Sequence, residues 1–102
     1  NDIWIYKGNV PGTQSGTPLP AVSVELPQRF RNREVEPFVI PINTAFLCVN
    51  ESDQLNLIAE VSNYNTNTSI PYVDVVAYTV SHNISQGRLY RGLEFALIVI
   101  GI

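Results

Sequence analysis

YVDVVAYTV, residues 72–80, is the stretch on which the fold turns. Four valines, a threonine and two tyrosines in nine residues, with no glycine or proline, are strand chemistry, because branched and aromatic side chains pack well on a pleated surface. Side chains along a strand alternate between two faces. Val73, Val75 and Ala77 therefore point one way, and Tyr72, Val76, Tyr78 and Val80 the other. Residues 93–102, LEFALIVIGI, repeat the pattern: Phe95, Leu97 and Val99 share one face, and Ala96, Ile98, Ile100 and Ile102 share the other. A strand with one face on a core and one in water should alternate apolar with polar. These two are apolar on both faces.

Working outward, the rest of the chain also reads as strands and turns. Seven prolines and six glycines interrupt it too often for long helices, and no segment repeats apolar residues at helical spacing. Residues 3–6 open a strand, residues 8–20 read as a long Pro/Gly loop, and Val22, Val24 and Leu26 alternate with Ser23 and Glu25. Pro41 marks residues 38–42 as an edge strand or irregular. Residues 44–49 and 55–61 flank a polar turn and form a hairpin candidate; residues 63–69 read as a polar loop and 82–87 as a turn. The expectation is one all-β domain over residues 1–102, a β-sandwich or small barrel of about seven or eight short strands with no significant helix.

A domain of 102 residues has no second layer for the outer faces of its two-faced strands. Either a barrel-like closure or a loop such as residues 8–20 covers them, or a neighbouring subunit does, since exposed apolar patches mark contacts. Charged residues make up only 15% of the chain, so like-charge repulsion does little to keep copies apart. The net charge of -3, with a single lysine, Lys7, argues against a nucleic-acid binder, which needs clustered cations for phosphates. The longest apolar run is about half of the ~20 residues that a membrane-crossing helix requires. The first residues lack the basic start and apolar stretch of a secretion signal, and the chain has no methionine, so a processed start or an upstream segment is expected.

Residues able to do chemistry are sparse. His82 is the single histidine, and no Gly-x-Ser-x-Gly elbow accompanies it, so no catalytic triad is expected. The carboxylates are scattered except for Glu34/Glu36 and Glu51/Asp53, which fall where solvated charge is ordinary. With one histidine and one cysteine, Cys48, neither a zinc site nor a disulfide can be built, and no cofactor is implied. Three Asn-x-Ser sequons, at Asn50, Asn67 and Asn83, are close to what an Asn-rich chain carries by chance. Arg29, Arg31 and Arg33 alternate with Phe30 and Asn32. On a strand this forms a ladder of guanidinium groups along one face, either a solvated edge balanced by Glu34 and Glu36 or a match for a partner's carboxylates. The expected partner-binding set is Arg29, Arg31, Arg33, Tyr72, Val76, Tyr78, Phe95, Leu97 and Val99, with no catalytic and no metal site.

Short length, few charges, no cysteine framework, long Pro/Gly loops and an apolar C-terminal strand together resemble the small β-structured decoration (cement) proteins of tailed-phage capsids. The resemblance covers the whole chain and rests on character, without a motif. It implies a non-enzymatic viral structural protein of the virion: a homo-oligomer, possibly a trimer, that bridges coat subunits; charge and apolar run length add that neither nucleic acid nor membrane is an expected partner. The expected location is a virion or the extracellular space. A carbohydrate-binding, lectin-like module using Trp4 and Tyr6, Tyr64, Tyr72, Tyr78 and Tyr90 is the alternative, as is a phage tail or adhesin domain.

Overall fold

The structure is a computed structural model that describes residues 2–11, 21–43, 57–81, 84–86 and 93–102. Its strands are β1 (Asp2–Val10), β2 (Val22–Glu25), β3 (Val35–Asn43), β4 (Leu57–Asn65), β5 (Tyr72–Ser81), β6 (Ile84–Gln86) and β7 (Leu93–Gly101). Among the described residues every pairing is antiparallel. One sheet has the order β1–β7–β3. In the other, β5 lies between β2 and β4, and β6 pairs with the far end of β5. The fold is all-β and sandwich-like.

The two strands singled out in the sequence are the central strands of the two sheets, which is why they are the richest in branched residues. Each contributes one face to a shared core. Val73, Val75 and Ala77 of β5 meet Phe95, Leu97 and Val99 of β7 in a cluster completed by Val10, Val24, Leu26, Phe30 and Val35. Gly8 has no side chain because the buried Phe95 ring occupies its place: a Cβ there would lie 2.5 Å from the ring. Among the described strands β3 lies at the edge of its sheet, with a register shift after Pro41, so both readings that Pro41 allowed, edge and irregular, apply to it. Pro37 and Pro41 are four residues apart, so their missing N–H groups fall on one side of the strand while the ladder to β7 is kept on the other.

Several boundaries differ from the expectation. Residues 8–10 belong to β1, with Val10 buried, and the rest of the expected loop, residues 12–20, lies outside the described residues. The proposed hairpin falls largely on residues 44–56, also outside them. Asn63 and Asn65, read as loop, extend β4, because a register shift after Val61 lets them pair with Asp74 and Tyr72. Residues 84–86, read as turn, pair with residues 79–81. His82, Cys48, Tyr90, Asn50 and Asn83 lie outside the described residues.

The largest correction concerns the arginines. Residues 28–33 are not a strand. Pro27 starts a single 3-10 turn over Gln28–Phe30, and Asn32 follows with a left-handed φ of 61°. The turn buries Phe30 and is tied to the segment before β5: Leu26 N–H donates to Pro71 O, Asn32 N–H to Thr66 O, and the Thr66 hydroxyl to Arg33 O.

Candidate interaction face

Alternation in a strand means that whatever β7 does not turn to the core it turns outward. Phe95, Leu97 and Val99, expected to bind a partner, are fully buried and form the core instead. Their neighbours Ala96, Ile98 and Ile100 face out. The register places cross-strand partners beside each outward residue, and these form rows across the sheet: Ile3–Ile100–Glu36, then Ile5–Ile98–Phe38, then Lys7–Ala96–Ile40. Ile3 is 60% exposed, Ile5 64%, Phe38 49% and Ile40 50%. Seven of the nine positions are apolar and the charged two, Lys7 and Glu36, stand at diagonally opposite corners. Sequence reasoning separated the two apolar parities of β7 but assigned the wrong one to a partner, and it missed Ile3, Ile5, Phe38 and Ile40. Their signal was present, since residues 3–6 are apolar at both parities, as are residues 38–40.

The outer face of the second sheet is different. Tyr72 stands between Glu25 and Asn65, Asp74 between Ser23 and Asn63, and Val76 beside Glu60. Asn63 Nδ2 donates to the Tyr72 hydroxyl at 3.4 Å, and the Ser62 hydroxyl donates to Asp74 O at 3.3 Å. Tyr72 and Val76 are half-buried among polar neighbours and do not extend an apolar surface; of Tyr78 the backbone alone is described. The two central strands look alike in sequence, yet around residues 72–76 the outer face of β5 is set among polar neighbours, while the outer face of β7 is flanked by isoleucine and phenylalanine.

The arginines divide by role. Arg29 Nε donates to Asp2 Oδ2 at 2.7 Å and Arg33 Nη1 to the same oxygen at 3.1 Å. Both guanidinium groups also stack on the Phe30 ring, 4.7 and 5.5 Å from its centre. Gly101 makes room for this stack, since a Cβ there would lie 2.6 Å from Arg33 Nη2. Hydrogen bonding from Arg29, helped by both nearby guanidinium charges, holds the Asp2 carboxyl below its ordinary range. Arg31 is exposed and, among the described residues, makes no ion pair. The ladder is therefore an intramolecular clamp of two arginines plus one outlier.

The described aromatics are split between the sheets. Trp4 and Tyr6 stack at 5.6 Å on β1, while Tyr64 and Tyr72 belong to β4 and β5. A shallow hollow of about 250 Å³ lies beside the apolar face, lined by Lys7, Gly8, Asn9, Ile42, Glu94 and Phe95. Among the described residues no three of His, Cys, Asp and Glu come together in a metal-binding arrangement, and no helix is long and apolar enough to cross a membrane. Compared with known proteins, the chain matches no protein-family model, no curated protein and no solved structure.

Proposed function

We propose that this domain is a non-enzymatic structural protein that works by association, with the outer face of β1–β7–β3 as its working surface. One observation carries the reading: exposed Ile3, Ile5, Phe38 and Ile40 flank Ile98 and Ile100 in one contiguous apolar block on the outside of a sheet. Such a patch costs solubility unless it is covered. The finer form of the proposal is a subunit of a virion, decorating or cementing a capsid, with coat or assembly proteins as partners. The small, weakly charged, proline-punctuated chain supports it. A carbohydrate module fits less well, because aromatics divided between two sheets do not offer a sugar one stacking platform.

The test is the native size of the chain in extracts of its source, wild type against Ile5→Glu. Ile5 is mostly exposed, so the substitution leaves the core alone. Wild type should elute with a species larger than its own 11.4 kDa and the variant near that mass. Identical elution of the two would remove the face from the explanation.

A further inference from the structure

The geometry points to a second copy of this chain as the occupant of the β1–β7–β3 face, laid face to face about a two-fold axis with the strands of the copies crossing steeply. The inference rests on the reading of that face as the working surface, and it names the partner.

Self-complementarity carries it. In a two-fold contact between flat faces, each position meets the position related to it by reflection across the axis. Take the axis through Ile98 along the diagonal from Ile3 to Ile40. Lys7 then meets the other copy's Glu36, Phe38 meets Ala96, and Ile5 meets Ile100. Ile3, Ile98 and Ile40 each meet their own equivalents. The two charges are matched twice, and the largest side chain on the face lies over the smallest. Within one molecule Lys7 and Glu36 are two strands and two rows apart, about 16 Å by ordinary sheet spacings, too far to pair. Among the described residues neither has an ionic partner. Axes along or across the strands set both charges against the other copy's isoleucines instead.

Near-orthogonal crossing is one of the two ordinary ways in which sheets pack face to face, at about 10 Å separation. The face is about 14 Å wide by 20 Å long on strand spacings, so the contact is small and the dimer weak. With Glu36 and Glu94 set against the single cation Lys7, the face also lacks the basic rim that is the usual complement of a membrane surface.

Sedimentation of the purified full chain from micromolar to millimolar concentration should show a reversible dimer, and Ile5→Glu should abolish it. Lys7→Glu sets a carboxylate against the other copy's Glu36 and should weaken the dimer roughly tenfold. Glu36→Lys sets an ammonium group against the other copy's Lys7 and should do the same. Mixing the two variants restores one of the two pairings as wild-type-like opposites and the other with its signs exchanged. Dimerisation should then return to near the wild-type constant, although both chains remain net negative or close to neutral. A chain that stays monomeric to millimolar concentration overturns the inference while leaving the association reading to the native-size test. A dimer indifferent to Ile5→Glu, or variants that do not rescue each other, overturns it equally.

Discussion

Asp2 ties the start of β1 to the turn ahead of β3, and its environment makes that tie depend on pH. Its carboxyl accepts from Arg29 and Arg33, and its pKa is lowered in the folded protein, chiefly by the Arg29 hydrogen bond. A carboxyl that holds its proton less tightly when folded stabilises the fold above its unfolded pKa, about 3.9, and loses that contribution as pH falls through the lower folded value. Asp2→Asn should therefore lower the urea midpoint at pH 7, with the gap to wild type closing as pH falls below about 4. A gap of constant size down to pH 2 would assign the effect to packing instead. This clamp was only half legible. The spacing of Arg29, Arg31 and Arg33 was plain, but a period of two has meaning only on a strand. Pro27 before the segment and Asn32 inside it were the local signs of a turn. The partner, 27 and 31 residues away in sequence at Asp2, left no local sign at all.

At the scale of the strands, β5 and β7 were legible as elements and their two parities were correctly divided, yet which parity of β7 faces the core was not. Both faces of β7 are apolar, so hydrophobicity cannot choose between them; neighbours decide. Gly8 beside Phe95 leaves a space that only the Phe95 parity can fill, and Ile3 and Ile5 on one flank and Phe38 and Ile40 on the other travel with Ile98 outward. Pairing partners are long-range facts, and this register appears in no local window. Truncation separates the two faces energetically. Leu97→Ala removes a fully buried side chain between two strands and should cost about 2–5 kcal/mol of unfolding free energy. Ile5→Ala, on a mostly exposed position of the same sheet, should cost at most about 0.5 kcal/mol in dilute solution. Chemical denaturation of both variants at low concentration checks the pair, and similar losses would mean that the outer face is packed within one molecule.

At the scale of the whole molecule, neither sheet has an inside of its own. Among the described residues β1 and β3 pair only with β7, so their sheet is held together through that one strand. β2, β4 and β6 depend in the same way on β5. Each sheet is at or near the smallest size that holds together in water, and then only with an apolar face covered. What makes both sheets stable is the single cluster that Val24, Val73, Val75 and Ala77 share with Val10, Val35, Phe95, Leu97 and Val99. Leu26 and Phe30, on the segment that passes from β2 towards β3, seal it. Loss of either inner face exposes the other, so the sheets should unfold together as one cooperative unit. The single tryptophan provides the probe: Trp4 is on β1, packed against the core and stacked on Tyr6, so its fluorescence reports one sheet. Far-ultraviolet circular dichroism reports both. Urea unfolding at low protein concentration, followed by the two signals, should give one midpoint and one slope. A fluorescence transition that precedes the dichroism transition would show the β1–β7–β3 sheet opening while the other persists, and the shared core would then be too weak to couple them.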